Sequence, residues 1–180
     1  MAAELPDRPG LTELQARLAA GTLSAVELAG QALGRAEENW FRAWRTLTPA
    51  RALQAAQRCD RLHAEWRSAG PLHGVPVGVK DNIDMVGETS RAGLPELVGL
   101  PAASADSVLI TRLEQAGAVI IGRCRMTELA FTALGDGSPE TPLNPLAPDR
   151  APGGSSSGSA AAGAAGDVPL SLGSDTGGSV

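Results

Sequence analysis

Two glycine–serine clusters and a solitary lysine are the residues of this chain best suited to chemistry. From Pro152 the sequence runs Pro-Gly-Gly-Ser-Ser-Ser-Gly-Ser, and from Gly173 it runs Gly-Ser-Asp-Thr-Gly-Gly-Ser, with Ser155 heading the first serine run and Ser179 closing the second. Glycine lacks a Cβ and can turn backbone N–H groups toward a ligand, while a serine hydroxyl can attack, relay a proton or accept a hydrogen bond. Lys80 is the one lysine; every other basic residue is arginine. Arginine-favouring codons account for the bias but not for the exception. A desolvated lysine can give up its proton and arginine cannot, so a lysine used as a base resists replacement.

Taken singly, the motifs mislead. Gly154-Ser-Ser156-Ser-Gly158 matches the G-x-S-x-G nucleophile elbow, but a proline-rich stretch precedes it where a strand is required, and no histidine follows. Asp175-Thr176-Gly177 resembles an aspartic-protease triplet, yet it is a single copy in a chain whose first half reads as helical. Neither cluster has the lysine of a phosphate-binding G-x-x-x-x-G-K-[ST] loop. Small residues that merely permit close backbone packing would explain either cluster alone.

The elements that must position these residues divide the chain at about residue 70. Residues 1–69 read as mainly helical. Thr12-Glu-Leu-Gln15 and Ser24-Ala-Val-Glu27 both fit the capping box, Gly21 suits a helix stop, and Leu28, Ala32, Leu33 and Ala36 recur at helical spacing. A short strand is expected over 41–47 and a helix over 49–67 with Pro49 in its first turn. Trp40, Phe41, Trp44 and Trp66 are expected in the core. Residues 70–180 read as an α/β core. Strands are expected at Gly74–Val79, Ala118–Gly122 and Val168–Leu172, and helices at Ala105–Ala116 and Ser157–Ala165. Met126–Phe131 suits a helical turn and Ser138–Pro152 a proline-rich loop.

Composition bounds the function. At 43% apolar and 19% charged residues, the 180-residue chain has the make-up of a globular domain, and a net charge of −5 argues against general nucleic-acid binding. No apolar run approaches a membrane span and the N-terminus does not read as a signal peptide, so a cytoplasmic protein is expected. Cys59, Cys124, His63 and His73 show no metal-ligand spacing, so neither metal nor cofactor is expected.

Read together, Gly-Val-Pro-Val-Gly-Val-Lys80-Asp-Asn, Pro-Gly-Gly-Ser155-Ser-Ser-Gly-Ser and Gly-Ser-Asp-Thr-Gly-Gly-Ser179 closely resemble the amidase signature family. Gly-Pro-Leu-His-Gly-Val-Pro from Gly70, Leu-Glu-Gln-Ala-Gly-Ala-Val-Ile-Ile-Gly from Leu113, and Glu128-Leu-Ala130 followed by Asn144-Pro145 add to the likeness. The resemblance implies the amidase signature fold, a mixed β-sheet core flanked by helices, here its N-terminal portion with a helical N-terminal segment, residues 1–180 being part of one domain. It implies hydrolysis of a carboxylic amide through an acyl-enzyme on a Ser–cis-Ser–Lys triad. Ser179 would be the nucleophile, Ser155 the bridging serine after a cis peptide, and Lys80 the terminal base. The backbone N–H groups of Thr176, Gly177, Gly178 and Ser179 would form the oxyanion hole. Asp175 reads as a brace for that turn, Ser156 and Ser157 as helix caps, Cys124 as an apolar filler, and Asp81 and Asn82 as neighbours that orient the lysine loop.

Both general bacterial amidases and the glutaminase component of glutamyl-tRNA amidotransferase (its A chain) share these motifs, and Gly135–Glu140 does not separate them. The implied partner is a small-molecule amide; nucleic acid enters only through a tRNA amidotransferase complex, and a homodimer is compatible. A non-catalytic remnant that keeps the fold for binding is the alternative of a different class. Family enzymes are far longer, with the signature continuing past Val180 into further strands and most of the substrate pocket. The expectation is that the 180-residue chain alone is poorly stable and inactive.

Overall fold

A computed structural model describes residues 8–134 and 140–180. The chain opens with helices α1 (Leu11–Ala19) and α2 (Ala25–Glu38), strand β1 (Trp44–Leu47) and helix α3 (Pro49–Ala64). Strand β2 (Pro76–Lys80), helix α4 (Val108–Gln115), strand β3 (Val119–Cys124), helix α5 (Ser157–Ala164) and strand β4 (Leu170–Leu172) follow, with short 3-10 turns at Pro95–Gly99 and Glu128–Ala130.

The four strands form one mixed sheet in the order β1-β3-β2-β4. Strand β2 lies parallel to both β3 and β4, whereas β1 runs antiparallel to β3 on the edge. Every residue of β2 and β3 is buried. That burial explains why both read as continuous apolar or small runs and not as alternating ones. Helices α2 and α3 pack on each other and on β3, and α5 packs on β2, β3 and β4. The core joins Leu28, Ala32 and Leu33 of α2 to Ala52 and Ala56 of α3 and to Val77, Val79, Ile120 and Ile121 of the sheet. This is the mixed α/β architecture that the motifs imply.

Local chemistry sets most boundaries. Ser24 forms a complete capping box: its Oγ accepts from Glu27 N–H (3.1 Å) and Glu27 Oε2 accepts from Ser24 N–H (2.9 Å). The Thr12 box does not form. Helix α1 starts at Leu11 after Gly10, and Thr12 lies inside its first turn. The strand expected from Phe41 begins only at Trp44, because Asn39 and Arg42 take left-handed conformations (φ 45° and 53°). Helix α3 stops at Ala64 and not at Arg67, with Trp66 left-handed (φ 58°). Trp44 is core, but Trp40 and Trp66 are not, being 76% and 97% exposed. Of the expected loop, 140–152 contains no helix or strand, while Ser138 and Pro139 lie outside the described residues.

Gly78 shows how closely the sheet is packed at its centre. A Cβ placed there would stand 2.8 Å from Cys124 Sγ and 2.9 Å from the Trp44 ring. Cys124 fills that space as an apolar residue: it is fully buried, and burial pushes its thiol up to about 12.

Candidate active site

Lys80 is the last residue of β2 and sits at the carboxyl ends of the parallel strands, where α/β sheets place their ligands. Its side chain is fully buried. The ammonium nitrogen donates to Ser155 Oγ at 2.7 Å and to the Ser174 carbonyl at 3.1 Å. Burial lowers the Lys80 pKa from its ordinary value, with Asp175 pulling more weakly the other way. No carboxylate among the described residues forms an ion pair with the amine, and burial outweighs the pull of Asp175 toward the charged form.

Ser155 is buried and follows a cis peptide bond after Gly154. Its carbonyl accepts from Thr127 N–H at 3.1 Å, which anchors the serine run to the segment leaving β3. Ser156 then ties the two clusters together. Its N–H donates to the Ser179 carbonyl (3.2 Å), and its Oγ accepts from Ser174 N–H (3.3 Å) and donates to Ser174 O (3.4 Å). Ser156 thus occupies the position before α5 without capping it, and Ser157 is the helix's first residue, its hydroxyl buried and without a hydrogen-bond partner among the described residues. The capping expected of this pair is absent because both side chains are turned elsewhere.

The second cluster forms an exposed turn whose N–H groups converge on Asp175. Gly178 N–H donates to Asp175 Oδ1 at 2.5 Å. Backbone N–H groups of Ser179, Gly178, Gly177 and Val180 hold the Asp175 carboxyl below its ordinary value. Gly178 adopts φ 106°, which only glycine takes readily. Asp175 therefore braces the turn as expected, and the amides of Gly177, Gly178 and Ser179 already sit around a negative charge. Ser179 is half-buried, and no hydrogen bond joins its hydroxyl to Ser155. The structure brings Lys80 and Ser155 into contact and ties Ser179 alongside through its backbone.

Several positioning groups had no sequence signal. Ser174 accepts the lysine through its carbonyl, and its hydroxyl accepts from Asn82 Nδ2 at 3.0 Å, so Asn82 does link the lysine loop to the turn. Thr127 acts through its backbone N–H, which no residue type advertises. Asp81 points away from Lys80 into an arginine cluster, accepting from Arg123 Nε at 2.6 Å and pairing with Arg45 Nε at 2.8 Å. Among the described residues no group of three histidine, cysteine, aspartate or glutamate side chains could hold a metal ion, and no helix is long and apolar enough to cross a membrane.

Residues 27–180 match the amidase family model. The chain belongs to the amidase family. The A chain of glutamyl-tRNA(Gln) amidotransferase from Chloroflexus aurantiacus is 44% identical over 173 residues, which cover 94% of this chain and 35% of that protein. A chain of the inhibitor-bound vestigial protein complex that reveals the evolutionary origins of an s-triazine catabolic enzyme superposes with a TM-score of 0.91 at 38% identity, over 96% of this chain and 38% of that one. Fatty acid amide hydrolase superposes with a TM-score of 0.84 at 29% identity, over 96% of this chain and 31% of that one. The chain spans about a third of the length of these amidase-family relatives.

Proposed function

We propose that this chain carries the Lys80–Ser155–Ser179 machinery of an amidase. The observation that carries the proposal is the 2.7 Å contact between a fully buried Lys80 amine and Ser155 Oγ, beside the turn that ends at Ser179. Neutral Lys80 takes the Ser155 proton as Ser155 takes that of Ser179, whose oxygen attacks the amide carbonyl carbon. The oxyanion forms against the N–H groups of Thr176, Gly177, Gly178 and Ser179, taking over the Gly178 N–H that donates to Asp175 Oδ1 in this structure. The proton returns along the same path to the departing amine, leaving an acyl ester on Ser179. Water then repeats the sequence and releases the acid. The family membership and the amide-cleaving enzymes among the structural relatives support the reaction class.

A second reading is favoured by the identity to the A chains of tRNA amidotransferases. In it, the same site acts as a glutaminase within a larger complex of several chains. Both readings share one test. The protein expressed from its whole reading frame is treated with a fluorophosphonate and assayed on primary amides and glutamine. Covalent labelling of the Ser179 peptide is expected, together with hydrolysis that falls at least about a thousand-fold in Ser179→Ala. A folded protein with an unlabelled Ser179 and no amide cleavage would instead be a binding protein that retains the fold.

A further inference from the structure

The proposed relay passes through Ser155 Oγ, so whatever fixes that hydroxyl decides how well the relay works. Lys80 meets it directly. The serine's backbone is held by the segment that leaves β3, through Thr127. The Thr127 N–H donates to the Ser155 carbonyl at 3.1 Å. Its Cγ2 methyl lies against Gly154, where an added Cβ would stand 2.8 Å from that methyl and 3.1 Å from the carbonyl oxygens of Thr132 and Ala133.

The turn that begins at Thr127 is not one the chain takes freely. Leu129 and Ala130 are consecutive non-glycine residues in the left-handed region, with φ of 47° and 58°. Such residues are uncommon singly and persist only where their surroundings fix them. Side-chain burial does not fix these, because Leu129 is 62% and Phe131 91% exposed. Hydrogen bonds hold the turn instead. Leu129 N–H donates to the Ala92 carbonyl at 2.7 Å, and Ala130 N–H to the Thr127 carbonyl at 3.1 Å. The buried Thr127 then closes the turn with its hydroxyl, which donates to the Thr132 carbonyl at 2.7 Å. That bond keeps the Thr132 carbonyl against Gly154, beside the Thr127 methyl.

We infer that Thr127 is a positioning residue for amide cleavage: its hydroxyl closes the turn that grips Gly154 and Ser155, and so aims Ser155 Oγ at Lys80. The N–H contact alone would accept any residue that has an N–H; the hydroxyl is what the position requires. Thr127 touches no reacting atom and acts through Ser155. The inference rests on the amidase reading for its place in catalysis. A relay tolerates little error of aim, since a displacement of about 1 Å costs on the order of a hundredfold in rate.

The test uses the protein expressed from its whole reading frame. Thr127→Val keeps the shape and a methyl against Gly154 but loses the donor, whereas Thr127→Ser keeps the donor. In Thr127→Val, kcat and the rate of Ser179 labelling by a fluorophosphonate are expected to fall on the order of tenfold to a hundredfold, with KM little changed. Thr127→Ser is expected to retain most of both rates. In a Ser155→Ala background Thr127→Val is expected to add no further loss, because nothing is left to position. A loss that persists in that background, or an equal loss in Thr127→Ser, would overturn the role. Hydrogen exchange read by mass spectrometry keeps the two proposals separable. Thr127→Val is expected to speed exchange by about tenfold, the range of a lost hydrogen bond, in peptides covering both 126–133 and 153–158, with α2 and α3 unchanged. That outcome upholds the hold on Ser155 even where the parent is not labelled, a result that would sink the amidase reading alone. Unchanged exchange over 153–158, or faster exchange throughout the chain, would overturn the positioning role whatever the activity.

Discussion

Lys80 is where one atom's protonation governs both proposed activity and stability. Its folded-state pKa is depressed by burial, so the unfolded chain binds a proton over a pH range in which the folded one does not. Stability therefore rises with pH between the depressed value and the ordinary lysine value of about 10.4, above which the penalty disappears. The proposed reaction needs the neutral amine, so kcat is expected to rise with pH through the depressed pKa and then level off. Lys80→Arg fits a similar charge but cannot deprotonate, and it is expected to abolish that rise and lower kcat by at least about a hundredfold, the worth of a general base. Lys80→Met is expected to be as inactive yet no less stable at neutral pH. A pH–rate profile and a urea titration of the three proteins check both halves. Lys80 and Ser155 were legible in sequence because a lone lysine and a clustered serine are unusual as residue types. Thr127 and Ser174 were not, since each positions the pair through backbone atoms that every residue possesses.

At the scale of elements, the central pair of strands is specified by what is missing from Gly78. Cys124 of the neighbouring strand β3 and the ring of Trp44 on β1, one strand further out, occupy the space a side chain would need. Gly78→Ala is expected to cost about 1–3 kcal/mol through overpacking, read as a lower urea midpoint with little change in slope. A flexible loop at this position would show no such loss. The sequence made β2, β3, α2 and α5 legible because their apolar or small-residue runs are bounded by glycine or a capping serine. It misplaced the starts of α1 and β1 for a different reason. Thr12-Glu-Leu-Gln15 has the residues of a capping box, but helix α1 begins two residues earlier than a Thr12 cap would set it, after an extended Gly10. Phe41 has strand propensity, but the left-handed turn at Arg42 intervenes before pairing with β3 can begin. Propensity names an element, and the surrounding chain decides where it starts.

At the scale of the whole molecule, Asp81 joins three parts of the sheet that sequence leaves far apart. It follows β2, accepts from Arg123 on β3 and pairs with Arg45 on β1, and Arg123 reaches on to Ser90 Oγ at 2.7 Å. Both Asp81 and Arg123 are essentially inaccessible to water. Removing the acid would leave two guanidinium groups facing each other at low dielectric, whereas removing one arginine leaves a complete pair. Asp81→Ala is therefore expected to destabilise by about 3–5 kcal/mol, and Arg45→Met by clearly less, because the Asp81–Arg123 contact survives. The exposed Arg67–Glu65 pair provides the contrast, since Arg67→Ala should lie within about 1 kcal/mol of the parent. Salt separates the two classes further: raising ionic strength should screen the surface pair and leave the Asp81 penalty nearly intact. Urea midpoints for these variants at low and high salt measure each contribution. Equal penalties for Asp81→Ala and Arg45→Met would show that the cluster is held by packing and not by its shared charge.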